Sequence, residues 1–428
     1  MDGKFLLIIN FVVYLLTFLI YVKKKKALDL GTVCLFTFAL SSFGSVWYYS
    51  FDMVPSFYPD MNILALSFIY VIFFMSVMPL LFINYGQIKM IASRKYQNAF
   101  YALSCFFAII AVPVFFNLVF NFLFKSFSGN ALNSMYESDV DYATLIFVPG
   151  IKQCYSFIRR FYDLIAFLLC YNLLFSNNIK IRIGLAMSLL SFFMVTFQGG
   201  SRGGIIMNLI SIGGLILIFY HLYSSKVKKY VRIVGVSLCG CLILGISAIS
   251  VSRFVANDTK ESDKVIDQWI AQYLGEGMVR FSDDCFPIKE QLNGDKNFSF
   301  MKSLIGFNEE TDNKKANLKY EAKLKIPTSV FYTFVGSYYL DFNFVGTIVI
   351  AFLTFVILMK MSIRINRRRK IGFIEILILI KFFKMLAIGF TSNVYAVTSV
   401  QQDEFLFWVL IACILVVSSK EKITPHYT

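Results

Sequence analysis

The chain has 428 residues, of which 57% are hydrophobic and 16% charged, too apolar for a soluble globular protein. Its formal net charge is +15 at pH 7. About half of the basic residues fall in alternate loops between apolar runs, so membrane topology and anionic lipid account for most of that charge, and nucleic acid need not be invoked.

About eleven runs approach the roughly 20 residues that cross a hydrocarbon core. They lie at 4–22, 30–50, 62–84, 99–124, 155–175, 179–197, 203–222, 231–252, 343–360, 371–391 and 403–419. The loops holding Lys23–Lys26, Lys89/Arg94/Lys95, Lys180/Arg182, Lys226/Lys228/Lys229/Arg232, Arg364–Lys370 and Lys420/Lys422 are basic, and those between them are neutral or acidic. Lys and Arg stay on the cytoplasmic side, which predicts an outside N-terminus, a cytoplasmic C-terminus and an odd number of spans. Lys23–Lys26 follow the first apolar run instead of preceding it, so that run reads as a retained span and not a cleavable signal. The predicted fold is an all-α polytopic membrane protein in three parts. Residues 1–252 carry eight spans, 253–327 form a large outer segment, and 328–428 hold a half-helix and three spans.

Cys34, Cys105, Cys170, Cys239, Cys241 and Cys413 fall within predicted spans, where a thiol acts as a small apolar group. Only Cys154 and Cys285 fall on the outer side, and a bridge between them is open. Within the outer segment, Ile266, Trp269, Ile270, Tyr273, Leu274 and Met278 recur at helical spacing, predicting an amphipathic helix at the membrane surface or capping the bundle. Continued past Gly275 and Gly277, this helix places Arg280 on the face of Trp269 and Tyr273. Glu276 stands four residues before Arg280, so an ion pair on a solvated face is an equal reading. Residues 328–341 are too few to cross and stop at Asp341-Phe342-Asn343, which predicts a half-helix before the span at 343–360.

Gly199-Gly200-Ser201-Arg202-Gly203-Gly204 lies in a short outer turn. It lacks the Walker pattern. Glycines let backbone approach a ligand, the next helix begins there, and Arg202 adds a forked charge, so the turn suits an anion; a tight turn with one snorkelling arginine is the plainer reading. Arg159, Arg160, Arg253 and Arg280 are the other outer arginines. Arg159 and Arg160 have Asp163 within one helical turn. Four separated arginine positions at one depth suit a pyrophosphate headgroup, whose oxygens the guanidinium fork meets in pairs. Lys381 and Lys384 share a face inside a span, where charge faces a cavity or a partner such as a buried acid. Candidate bases on the outer side are Asp267, Glu276, Asp283, Asp284 and Asp341. His221 and His426 fall on the inner side. No cluster has metal-ligand spacing, and no cofactor motif appears.

Three segments carry a family resemblance: Gly200-Ser201-Arg202-Gly203-Gly204 opening a span, Tyr273-Leu274-Gly275-Glu276-Gly277 in the outer segment, and Tyr338-Tyr339-Leu340-Asp341-Phe342-Asn343-Phe344-Val345-Gly346 after it. With the span layout they resemble the bacterial O-antigen and capsule repeat-unit polymerases of the Wzy type. Asn343 stands where the family pattern has glycine. The resemblance implies a glycosyltransferase of the bacterial cytoplasmic membrane. It would join undecaprenyl-pyrophosphate-linked oligosaccharide repeat units at the outer face and release undecaprenyl pyrophosphate. Donor and acceptor are then both lipid-linked, and chain-length regulator and flippase proteins are implied partners. The arginines Arg159, Arg160, Arg202, Arg253 and Arg280, with Lys381 and Lys384, would hold the pyrophosphate. Glu276 or Asp341 would be the base, and Trp269 and Tyr273 would stack on sugars. Two alternatives remain: an O-antigen ligase-like transferase, whose outer histidine is missing here, and a non-enzymatic lipid-linked oligosaccharide flippase or transporter.

Overall fold

A computed structural model describes the chain apart from residues 1–2, 26–27, 52–59, 93, 125–146, 177, 199–201, 234, 236, 238–239, 241–261, 308–311, 329 and 421–428. In chain order the main elements are α1 (Gly3–Lys25), α2 (Leu30–Tyr49), α3 (Ile63–Phe82), β1 (Met90–Ala92), α4 (Gln97–Phe124), α5 (Ile151–Arg160), α6 (Tyr162–Phe175), α7 (Ile179–Gln198) and α8 (Arg202–Phe219). They continue with α9 (Ser262–Arg280), α10 (Ser299–Leu304), α11 (Asn313–Leu324), α12 (Thr333–Arg368), β2 (Lys370–Gly372), α13 (Phe373–Ile388) and α14 (Thr398–Lys420). Among the described residues, eight helices are long and apolar enough to cross a membrane: α1, α2, α3, α4, α7, α8, α12 and α14. The chain is a helical, multi-pass membrane protein. The predicted span at 231–252 lies mostly outside the described residues.

The chain forms two compact units, each assembled from separate stretches. One holds residues 1–87, 263–369 and 381–405; the other holds 88–262, 370–380 and 406–428.

In the first unit, α2 starts where Asp29 accepts the Thr32 N–H at 2.8 Å and the Tyr21 hydroxyl at 2.9 Å. Both bonds satisfy groups that a helix start or an apolar span would leave bare. α3 starts likewise on Asn62, which accepts the Leu64 N–H. Pro79 interrupts the α3 hydrogen-bond ladder, and the Pro79 carbonyl accepts the Ser362 hydroxyl of α12 at 2.9 Å. Helix α12 kinks at Asn343, which holds φ 56 and ψ −167. The helix before the kink begins at Thr333, five residues past the start of the predicted half-helix, and Asn343 occupies a left-handed conformation that glycine adopts at no steric cost.

Helix α9 departs from expectation. Among its described side chains and glycines, Ala271, Gly275, Glu276, Gly277, Met278 and Val279 are buried, whereas Trp269, Ile270 and Tyr273 are exposed. Its small residues, and not its apolar stripe, set the packing face. A Cβ on Gly275 would lie 2.2 Å from the Gly44 carbonyl oxygen, and one on Gly277 would lie 2.4 Å from the Phe390 carbonyl oxygen. The C-terminal half of α9 is thus inserted between α2 and the turn at 389–391, in close small-residue crossings of the membrane-helix kind.

In the second unit, the predicted span 155–175 is two helices. α5 is amphipathic, with Tyr155 and Ile158 buried and Arg159 and Arg160 exposed; α6 is buried along most of its length. α4 and α7 cross closely at Gly184, where an added Cβ would lie 2.4 Å from the Ala108 Cβ. The strands form a short parallel pair, Met90 opposite Lys370. Both lie in loops whose basic residues predict the same membrane side.

Candidate functional site

The polar feature of the first unit is the end of α9. Gln272, Glu276, Arg280 and Asp284 stand every fourth residue and form a continuous ladder. Gln272 Nε2 donates to Glu276 Oε2 at 3.1 Å, Arg280 Nε to Glu276 Oε1 at 2.6 Å, and Arg280 Nη1 to Asp284 Oδ2 at 3.1 Å. Beyond Arg280 the helix widens into a single π-turn, Phe281–Cys285, closed by the Phe286 N–H on the Phe281 carbonyl at 2.8 Å. Such turns recur at functional sites because they redirect side chains within an otherwise regular helix. Here the turn sends Asp284 to Arg280 and Asp283 to the Asp60 N–H at 2.8 Å.

Two tyrosines from distant segments complete the cluster. Tyr48, at the end of α2, stands close to the charges of Glu276, Arg280 and Asp284. Tyr332, just before α12, donates its hydroxyl to the Pro327 carbonyl at 2.6 Å, with Asp284 Oδ2 at 3.3 Å. Glu276 is 2% exposed and the Arg280 side chain 16%, so the pair meets solvent from the arginine side. Burial works against the Arg280 charge, but its bonds to Glu276 and Asp284 outweigh that and hold the guanidinium more firmly protonated than a free arginine. Burial raises the Asp283 carboxyl above its ordinary range, opposed by the Asp60 N–H. The cluster holds one cation against Glu276, Asp283 and Asp284.

Asp341 is fully buried in a different arrangement. Its carboxylate accepts the Asn297 N–H at 2.7 Å, Asn297 Nδ2 at 2.6 Å and the Lys296 N–H at 3.1 Å. Asn297 in turn donates to the Ser337 carbonyl and accepts from Asn393 Nδ2, each at 2.7 Å. Burial pulls the Lys296 ammonium below the usual lysine range, while the nearby Asp341 charge acts the other way. As placed, Asp341 ties Lys296 and Asn297 to the kink of α12, and both its oxygens are engaged by that tie.

Lys381 pairs with Glu404 of α14, and the Tyr395 hydroxyl donates to the Lys381 carbonyl at 3.0 Å. Lys384 is half-buried one turn on. Glu375 accepts the Gly372 N–H at 2.7 Å at the start of α13. Trp269 and Tyr273 are exposed on α9, with the Tyr273 ring 5.4 Å from Phe331.

In the second unit, Arg159 and Arg160 end α5 beside the buried Asp163 of α6. Arg202 opens α8, but its side chain, Gly199–Ser201 and Arg253 lie outside the described residues. Cys154 and Cys285 are both free thiols. Among the described residues no group of three His, Cys, Asp or Glu could hold a metal ion.

Comparisons with protein-family models, curated proteins and solved structures find no match. Function therefore rests on the site. Sequence reasoning located Glu276 and Arg280 but missed Asp284 as the third rung, although the four-residue spacing from Gln272 onward carries it. Tyr48 and Tyr332 had no local signal, being brought in by α2 and α12. Glu404, Asn297 and Asn393 were missed for the same reason.

Proposed function

We propose that the chain is a lipid-linked oligosaccharide repeat-unit polymerase of the bacterial cytoplasmic membrane. It has eleven spans, an outside N-terminus, a cytoplasmic C-terminus and its site at the outer face. The observation that carries the reading is the Glu276–Arg280–Asp284 ladder, a buried acid and its arginine set into a membrane unit at the end of an inserted helix. The resemblance of Tyr273–Gly277 to the Wzy-type polymerases supports the same placement.

In this reading Arg280 exchanges partners. A pyrophosphate presents two oxygens to the guanidinium fork and displaces the Glu276 carboxylate. Glu276, freed at Oε1, accepts the proton of the acceptor sugar hydroxyl as that oxygen bonds to the anomeric carbon of the donor. The anomeric C–O bond breaks, its electron pair leaves with undecaprenyl pyrophosphate, and Arg280 holds the negative charge that develops there. Tyr48 and Tyr332 orient the pair. Arg202, Arg253, Arg159 and Arg160 would bear on the lipid pyrophosphates, and Trp269 and Tyr273 on the sugars. The partners are lipid-linked donor and acceptor, with chain-length regulator and flippase proteins in the same membrane.

One observation favours a transporter instead. Helix α12 is broken at Asn343 and Lys381 pairs with Glu404 inside the same unit, as in transporters with discontinuous helices. Purified protein in liposomes with undecaprenyl-pyrophosphate repeat units separates the two. A polymerase yields a ladder of longer lipid-linked chains that Glu276→Gln abolishes. Transbilayer movement with no ladder would replace the polymerase reading with transport.

A further inference from the structure

The outer segment carries an apolar surface that the site does not use. After Asn297 the chain turns through α10, and Phe298, Met301, Leu304, Ile305 and Phe307 are all exposed, Ile305 at 74%. Five large apolar side chains within ten residues make a patch that a water-facing loop rarely shows. Lys302, in their midst, is turned aside: it pairs with Asp295, and its ammonium lies 5.9 Å from the Phe307 ring centroid.

The patch lies beside two membrane spans. The Leu292 N–H bonds to the Leu340 carbonyl at 2.8 Å and the Asn293 N–H to the Asp341 carbonyl at 3.0 Å, pinning the segment to the kink of α12. The Phe298 ring is 5.9 Å from Phe342. Just past that ring begins the exposed apolar stripe of α12, with Val345 (71%), Val349 and Phe352. On the other side the Ser299 hydroxyl meets Thr398 at 2.8 Å, Gln401 accepts the Phe300 N–H at 3.0 Å, and the Phe300 ring is 5.6 Å from Phe405. Phe405 lies about two helical turns, roughly 10 Å, into α14. α10 therefore lies between two spans, against the kink of α12 and the first two turns of α14, and its patch continues the exposed apolar surface of α12.

We infer that residues 298–307 form an interfacial element buried in the headgroup and acyl boundary of the bilayer, with lipid as its occupant. Apolar side chains on one side and a paired lysine on the other suit that boundary. The element anchors the outer segment at the membrane surface whether or not the chain is a polymerase.

The test is Ile305→Trp in the full chain, in nanodiscs, with the emission of the parent protein subtracted to remove Trp47, Trp269 and Trp408. Lys289→Trp, at an exposed polar position of the same segment, is the water reference. The added Ile305→Trp emission should be blue-shifted from that reference. It should be lost more to lipid brominated near the carboxyl end of its acyl chains than to lipid brominated near the methyl end. Emission equal to the Lys289→Trp reference and untouched by either lipid would overturn the inference. A blue shift without quenching by any brominated lipid would also overturn it, since a protein surface such as a second copy would then cover the patch.

Discussion

Gly44 of α2 and Gly275 of α9 meet backbone to backbone, so closely that a methyl group on Gly275 would fall 2.2 Å from the Gly44 carbonyl oxygen. The atom in the way is backbone on a packed helix, and it cannot swing aside. Forcing a carbon into a filled contact costs about 1–3 kcal/mol. Gly275→Ala is expected to lower the melting temperature of the detergent-solubilised protein. Gly213→Ala, in open space on α8, should be neutral or slightly stabilising, because alanine is the better helix former. Equal behaviour of the two variants would mean that the crossing is looser than described.

The pairing of Glu276 with Arg280 predicts non-additive kinetics. Glu276→Gln and Arg280→Gln should each lower polymerisation by about 10²–10³, the usual effect of removing one group aimed at developing charge. The double variant should be little worse than either single one, as for groups that work as a unit. Arg280→Lys should not rescue, because lysine keeps the charge and loses the fork. Initial rates with lipid-linked repeat units measure all four.

Asp341 is expected to behave as a tie. Asp341→Asn weakens bonds that Lys296 and Asn297 now make to a carboxylate, each worth about 1.5–3 kcal/mol. It should lower thermal stability while the activity per folded molecule stays close to that of the parent. A stable Asp341→Asn protein without activity would return Asp341 to the role of base.

Lys381 and Glu404 should show mutual rescue. Breaking a fully buried pair from one side costs roughly 3–5 kcal/mol because it strands the other charge, and less is expected here, where the Glu404 side chain is 20% exposed; apolar replacement of both is often neutral. Lys381→Met or Glu404→Leu alone should reduce the yield of folded protein, and the double variant should recover it. Loss of activity in a well-folded double variant would assign the pair to chemistry or transport.

Sidedness follows from the loop charges. Cysteine introduced at Lys289 should react with an impermeant thiol reagent from outside intact cells, and cysteine at Ser224 should react only after lysis. Both positions are exposed. The reverse labelling would place the α9 site on the cytoplasmic side and remove the polymerase reading.

Much of the architecture was legible from hydropathy, because a span must satisfy its backbone internally and advertises itself by length and apolarity. The break of α12 at Asn343 was legible for a related reason: the fourteen residues before it are too few to cross. The packing face of α9 was not. Apolar periodicity pointed to Trp269 and Tyr273, but in a membrane unit the side with Gly275 and Gly277 packs, and large apolar residues are as content in lipid as in a core. Arg280 and its (i, i+4) partner Glu276 were legible from spacing, and the same spacing carried Asp284. Tyr48 and Tyr332 reach the cluster only through the fold.

The parallel pairing of β1 with β2 has a bearing on biogenesis. Met90 and Lys370 are partners in register, yet they come from opposite ends of the translated chain. Both compact units also draw on early and late stretches. At roughly 5–20 residues per second of synthesis, β1 waits on the order of ten seconds or more for its partner to be made. The early helices must reside in the bilayer as unfinished halves during that interval, with interfaces such as the Gly44 surface of α2 open to lipid. Nonsense truncation anywhere before β2 would leave neither unit closed, so such products should be cleared by membrane proteases and should not persist as stable fragments.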